Sequence, residues 1–218
     1  MTVSKFRARL RLLSRATSGM ALTEFAILLP VFLTMGLVGV DTANLMVADM
    51  EVSQAALSLA DNASRLGQTD NSSVTPTVTE QDIDSIMSGA LRQGDSIDLR
   101  SKGRLILSSV EHDDTTGKQY IHWQRCAGSY PAASKYGDDD QHNGLTGTPL
   151  TGVGPNSTKL VAESGSAIMV AEIYYQYDGL FGTWITPSRV IRQEAEFIIR
   201  DDRNLTPGIT GSGGTSNC

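Results

Sequence analysis

The first strong pattern in the chain is a long apolar run from Met20 to Val40, which contains one acid, Glu24, and one proline, Pro30. As an α-helix, these 21 residues would be about 31 Å long, enough to cross the hydrocarbon core of a bilayer. A secretory signal has a shorter apolar core and a small-residue cleavage site after it, and no such site follows here. The run therefore predicts a transmembrane helix over residues 20–40.

The next segment, residues 41–68, contains no proline and carries apolar side chains at spacings of three, four and seven. This spacing predicts an amphipathic helix that continues the membrane helix and packs on a sheet or against a sister helix. Together the two segments would form a rod of about 45 residues, roughly 68 Å long. The apolar stripe consists of Leu45, Val52, Ala56, Leu59, Ala63 and Leu66.

Residues 69–204 have the pattern of an α+β domain. A polar loop precedes a short helix at 79–94, with Thr79 and Asp82 as a capping box and Gly94 as its stop. Four antiparallel strands follow. They are expected at 103–112, 118–126, 167–180 and 189–201.

Two segments of this region lack periodicity. Residues 127–165 are rich in Gly, Pro, Asp and Ser and predict a long polar loop between the second and third strands. Residues 205–218 predict a flexible Gly/Ser-rich tail that ends in Cys218. The expected fold is a long helix packed on a small, roughly four-stranded antiparallel sheet.

Charge is distributed unevenly along the chain. All charges before Gly19 are positive, while the whole chain has a net charge of -6, so the remainder is strongly acidic. An acidic body argues against nucleic-acid binding. The positive-inside rule predicts a basic cytoplasmic leader at 1–19 and a domain outside the cytoplasm after Asp41. The five cations are Lys5, Arg7, Arg9, Arg11 and Arg15.

A simple anchor leaves Gly19, Glu24 and Pro30 unexplained, since an ionised group at mid-membrane costs about 2.5 to 3.5 kcal/mol. A basic leader, a glycine, four residues, then Glu-Phe and a long apolar helix resembles the class III signal of type IV pilins. The run "TEFAILLPVFL" resembles the TadE-like minor pilins of the tight-adherence (Tad, type IVb/Flp) pilus systems. The specific resemblance covers roughly residues 15–66, and the rest agrees in general architecture.

The resemblance implies a processing and assembly site on the first turns of the membrane helix. A prepilin peptidase would cut between Gly19 and Met20 on the cytoplasmic side. Glu24 would then pair with the new α-amine of a neighbouring subunit's Met20, and Phe25 and Pro30 belong to the same assembly segment. A matched pair of charges in lipid costs much less than two isolated ones.

The resemblance also implies partners and a location. The partners would be the peptidase, other minor and major pilins and the inner-membrane assembly platform. The chain would cross the inner membrane once, with a periplasmic domain of pilin type that can join the pilus. No cofactor is implied.

The two cysteines, Cys126 and Cys218, both fall on the predicted oxidising side of the membrane. We expect an intramolecular disulfide between them, which would restrict the unfolded chain by about 4 to 5 kcal/mol in the loop-entropy model. An intersubunit bond through the terminal cysteine is the alternative.

Catalytic and metal motifs are weak. The histidines His112, His122 and His142 stand in no H-E-x-x-H or H-x-H pattern, and no G-x-S-x-G, Walker A or dinucleotide motif occurs. The loop "YGDDDQHNG" offers calcium-type oxygens at Asp138, Asp140 and Asn143, but it lacks a bidentate Glu, and a solvated loop is favoured.

An aromatic group stands where the third strand becomes a loop. We expect most of it in the core, with any exposed part forming an interface. Its members are Tyr174, Tyr175, Tyr177, Phe181 and Trp184.

These patterns together predict a structural assembly protein rather than an enzyme. Two alternatives stay open at this point. One is an unprocessed, signal-anchored periplasmic binding or adhesion module, which would keep residues 1–19 and for which Glu24 would be dispensable. The other is an anchored periplasmic hydrolase that uses His and Asp residues.

Overall fold

The computed structural model describes residues 18–67, 75–155, 158–183, 185–200 and 203–218. Its longest element is helix α1, Ser18–Ser64, which joins the apolar run and the amphipathic segment without a break. The helix was expected to reach residue 68 but ends at Ser64, and Gly67 adopts a left-handed φ of 95°. Arg203 Nη1 donates to the carbonyls of Ala63 and Leu66 at 3.2 Å, which satisfies acceptors that a helix end leaves free.

Four antiparallel strands form the main sheet, as the alternation predicted. They are β2 (Gly103–Asp113), β3 (Lys118–Ala127), β4 (Ala167–Tyr177) and β5 (Arg189–Ile198). Their order across the sheet is β3-β2-β4-β5. The α+β class, with one long helix on a four-stranded sheet, is confirmed.

The outer half of α1, residues 41–64, packs on one face of β4 and β5. Val52, Ala56, Leu59 and Ala63 are at most 1% exposed, and Leu45 and Leu66 pack at the margin of the same cluster. The predicted stripe is therefore the core face of this helix. Alanine is frequent on it, which lets the helix backbone approach the sheet closely.

A second helix, α2 (Glu80–Gln93), completes this layer and has the predicted capping box between Thr79 and Asp82. A single 3₁₀ turn (Asp95–Ile97) and a short helix α3 (Leu99–Lys102), which the sequence did not predict, follow it. Leu99 is fully buried, and a Cβ on Gly94 or Gly103 would lie 2.5 Å from its side chain. Both glycines are therefore needed for the close packing of this turn.

The long polar loop between β3 and β4 covers the other face of the sheet. Tyr136, Leu150 and Leu160 pack there over a second apolar cluster. As a result both faces of β4 are buried, and even the charged side chain of Glu172 is 0% exposed. The buried carboxylate accepts from Lys135 N (3.0 Å), Tyr174 Oη (3.1 Å) and Arg192 Nη2 (2.9 Å).

The expectation of a flexible tail is wrong for the described structure. Strand β6 (Ile209–Thr210) pairs in parallel with β1 (Val78–Thr79). Further along, Ser216 Oγ donates to Asp84 Oδ1 at 2.5 Å, and the Ser216 carbonyl accepts from Cys126 N at 2.9 Å. The tail lacks apolar periodicity because backbone and carboxylate hydrogen bonds and the disulfide hold much of it, and only a few of its side chains, such as Leu205 and Ile209, pack against the core.

Candidate processing and assembly site

The residues expected to be cut and paired lie on the first turns of α1 and are solvent-exposed. Met20 is 64% exposed, Phe25 60%, and Glu24 is exposed as well. A Cβ at Gly19 would meet no atom within 4 Å. The described residues therefore give no packing reason for a glycine at this position. The predicted leader up to residue 17 lies outside the described residues.

Within the described residues, Glu24 is held in place only by the helix that carries it. Met20 and Glu24 are four residues apart, so they share one helix face with Cβ atoms about 6 Å apart. Thr23 Oγ1 donates to the Met20 carbonyl at 2.7 Å within the same turn. Among the described residues, none forms a hydrogen bond or ion pair with the Glu24 carboxylate. The described part of the chain therefore supplies no counter-ion for this carboxylate.

Pro30 lies inside α1 without ending it. It has no N–H to offer the carbonyl of Ala26, so one helical hydrogen bond is missing there. Thr34 Oγ1 donates to the carbonyls of Pro30 (3.0 Å) and Val31 (2.9 Å), which adds polar contacts on the next turn. Such side-chain contacts are typical of helices that carry proline in an apolar setting.

The helix is long and apolar enough to cross a membrane. Its most apolar window of 18 residues has a mean hydropathy of 2.0 and is 0% buried, whereas the core helix of a soluble protein would be mostly covered. From Met20 to Val40 every large apolar side chain except Leu37 is exposed. This half of the helix therefore lacks protein contacts within the described chain, which favours membrane anchoring.

The residue that follows the apolar run, Asp41, has a role that sequence reasoning missed. It is 0% exposed and accepts from Leu180 N at 2.8 Å and from the Tyr177 hydroxyl at 3.2 Å. Asn44 Nδ2 also donates to the Tyr177 hydroxyl at 3.1 Å. The sequence offered one indication, since Asp41 is an acid on a helix directly after an apolar span.

The histidines do not form a catalytic constellation. His122 Nδ1 lies 2.9 Å from Glu111 Oε2, and this hydrogen bond raises the pKa of His122. His112 Nδ1 lies 3.2 Å from Gln119 Nε2 on the neighbouring strand. His142 is exposed, 3.4 Å from Asp138. Each ring has a local partner, as expected for satisfied or solvated histidines.

In the acidic loop, Asp138 and Asn143 accept from the loop's own backbone, whereas Asp139 accepts from Gln124 N on β3 at 2.9 Å. Asp138 Oδ1 accepts from the amides of Asp140 (3.1 Å) and His142 (2.8 Å), and the His142 amide is the main cause of a lowered Asp138 pKa. Asn143 Oδ1 accepts from the amides of Leu145 and Thr146. Within the described residues, no cluster of three or more His, Cys, Asp or Glu residues suits a metal ion.

The structure contains an intramolecular disulfide between Cys126 and Cys218, with their Cα atoms 4.8 Å apart. Cys126 lies near the end of β3 and is 4% exposed. The bond joins the tail to the sheet, and both cysteines line a cleft of about 790 Å³ together with residues of the long loop.

The aromatic group divides as expected into a buried and an exposed part. Tyr175 and Tyr177 are 5% and 2% exposed, and Tyr175 Oη donates to the Ile97 carbonyl at 2.9 Å. Tyr174 is half-buried beside Arg192, whose guanidinium carbon is 5.6 Å from the ring centroid. Phe181 is 37% exposed. Trp184 lies outside the described residues.

Comparison with known proteins gives a family match over the apolar helix that favours membrane anchoring. Residues 19–61 match the family described as TadE-like protein. The match begins at the predicted cleavage position and covers the apolar run and most of the outer half of α1. It is consistent with a TadE-like protein of the Tad pilus system, a family with structural and assembly roles. No curated protein and no solved structure matches the chain.

Proposed function

We propose that the protein is a minor pilin or pseudopilin that a prepilin peptidase cuts between Gly19 and Met20 and that contributes to Tad pilus biogenesis. It crosses the inner membrane once, with its N-terminus in the cytoplasm and residues 69–218 in the periplasm. Its partners are the peptidase, other minor and major pilins and the inner-membrane assembly platform. It is a substrate of processing rather than a catalyst.

The observation that supports this proposal most is the inner half of α1, residues 18–40. It is not covered by the described part of the domain, it exposes Gly19 and Glu24, and most of it lies within the match to the TadE-like family. A membrane anchor alone needs neither residue. Cleavage after Gly19 would place a positive α-amine on Met20, one helical turn from a carboxylate. The same two groups on neighbouring subunits can neutralise each other in a setting of low dielectric constant.

A second apolar stripe supports assembly through this helix. It lies on the face opposite the sheet, and its positions alternate by three and four along both halves of α1, with one polar residue, Gln54. A repeat of 3.5 residues is the pattern of helices that pack side by side. Its exposed members are Leu33, Gly36, Val40, Ala43, Val47, Met50 and Leu57.

The proposal is tested by replacing Glu24 with glutamine in the intact cell. Glu24→Gln keeps the size of the side chain and removes its charge, so membrane insertion and cleavage should persist. Pilus number should fall, because the neighbour's amine would stay in lipid without a counter-ion, a loss of about 3 to 5 kcal/mol. Membrane abundance, the N-terminal sequence and pilus counts are measured together.

Asp49→Asn provides the matched control. Asp49 is an exposed acid on the same helix beyond the apolar run, and asparagine can still accept the hydrogen bond from Gln193 Nε2 (2.9 Å). We expect normal piliation from this variant. Normal piliation and processing in Glu24→Gln would contradict the pairing and favour the unprocessed signal anchor.

A further inference from the structure

The loop between β4 and β5, residues 178–188, lies at the end of the domain nearest the apolar run. Two hydrogen bonds to α1, one from β5 and one from just after it, establish this position. Gln193 near the start of β5 bonds to Asp49, and Arg200 just after β5 bonds to Asp61, so β5 and α1 run the same way. The loop that precedes β5 therefore lies beside the earliest part of the outer helix.

This loop is fixed to α1 at the residue where the apolar run stops. The Leu180 amide donates to Asp41 Oδ1 at 2.8 Å, one residue beyond Val40. A Cβ on Gly179 would lie 3.0 Å from Asp41 Oδ2 and 3.2 Å from Thr186, so only glycine fits easily between them. These contacts with the buried Asp41 therefore fix the position of the loop along the helix axis.

The side chains at the tip of the loop are apolar and uncovered. Leu180 is 55% exposed and Phe181 37%. Two cations lie near them: Lys102, which forms an ion pair with Asp178 at 3.2 Å, and Arg189, which is exposed at the start of β5. Apolar side chains bordered by cations are the composition of segments that lie in the interface of an anionic membrane.

We propose that the β4–β5 loop is a second membrane contact, in which Leu180 and Phe181 enter the interfacial layer of the same bilayer that α1 crosses. The inference rests on the proposed membrane span. We infer that lipid covers these two side chains because the loop is held level with the end of that span, where headgroups and acyl chains meet. The contact would fix the tilt and rotation of the domain on its helix, since two points of attachment restrict both.

Photo-crosslinking of the full chain in lipid nanodiscs tests this contact. The photoreactive residue p-benzoylphenylalanine replaces Leu180 in one sample and Phe181 in another, in discs of phosphatidylethanolamine and phosphatidylglycerol. Val161 is the matched control, because it is 53% exposed and lies near Ile198 at the opposite end of β5. Val31, 52% exposed within the apolar run, is the control for the span.

We expect lipid adducts by mass spectrometry at positions 180, 181 and 31, with at least tenfold less at 161. Labelling at 31 without labelling at 180 and 181 would overturn the loop contact and leave the proposed function intact. Absence of adducts at 31 would overturn the span itself. Protein adducts at 180 in place of lipid would show that a neighbouring subunit, rather than the bilayer, covers the loop.

Discussion

The two halves of helix α1 have the same secondary structure and opposite surroundings. In the outer half, Val52, Leu59 and Ala63 are 0% exposed against the sheet. In the inner half, Leu22 and Ile27 are 69% and 71% exposed, and no described residue from elsewhere in the chain covers them. The outer half belongs to the domain, and the inner half needs surroundings that the domain does not supply.

Because of this difference, substitutions in the two halves should affect different properties of the protein. Burying a large aliphatic side chain stabilises a fold by about 1.5 to 3 kcal/mol, so substitutions in the outer half should be felt in unfolding experiments. Substitutions in the inner half should leave the domain folded and affect membrane insertion, processing or assembly.

The largest expected effect is on the domain, through the disulfide. Cys218→Ser should lower the free energy of unfolding by about 4 to 5 kcal/mol, because the bond closes a long loop in the unfolded chain. Urea unfolding of the full chain in detergent measures it, and cleavage after Gly19 should not change. A wild-type dimer that collapses on reduction would instead show an intersubunit bond.

The next effect compares two leucines on the same helix. Leu59→Ala should cost about 2 to 5 kcal/mol, because it leaves a cavity beneath the sheet. Leu57→Ala, at a side chain that is 49% exposed, should cost less than about 0.5 kcal/mol. Equal losses in urea unfolding would mean that the helix does not present these two faces as described.

A third substitution adds a charge to the exposed stripe. Met50→Asp should leave the domain as stable as wild type within about 0.5 kcal/mol. It should reduce pilus number on the order of tenfold, because packing a neighbouring helix on the stripe would bury an unpaired carboxylate. Asn62→Asp, also exposed on α1 but outside the stripe, is the control. Equal piliation in both variants would exclude this stripe as an interface.

The smallest effect is the pH dependence of the His122–Glu111 pair. Glu111 raises the pKa of His122 in the fold, so the contribution is full below the unfolded value of about 6.5 and is lost as pH rises through the folded pKa. Removing the ring with His122→Gln should therefore cost about 1 kcal/mol more at pH 5.5 than at pH 8.5. A cost independent of pH would mean that the imidazolium form is not the stabilised one.

Patterns with a strict period were readable from the sequence. The stripe through Val52 and Leu59, the capping box at Thr79 and the four strands all follow local rules of spacing and hydrogen bonding. The processing and assembly site stays a prediction from local sequence, because Gly19 and Glu24 are close in the chain and no tertiary contact brings them together.

The features that were missed depend on contacts between distant segments. The burial of Asp41 requires a loop about 140 residues later, and the order of the tail requires Asp84 and the short strand β1. The burial of Glu172 depends on the long loop, where Ser134 and the Lys135 amide donate to its carboxylate. Local spacing contains no information about which polar groups such loops will satisfy.

The mass of the mature N-terminus tests the central claim, that the inner half of α1 is made for processing and assembly, most directly. The chain is isolated from the membranes of its own host and its intact mass is measured, with Gly19→Val beside it. We predict a wild-type species that begins at Met20 and a variant that keeps the leader, because a bulky side chain obstructs entry of the backbone into the protease. A wild-type chain that still begins at residue 1 or 2 would contradict the account.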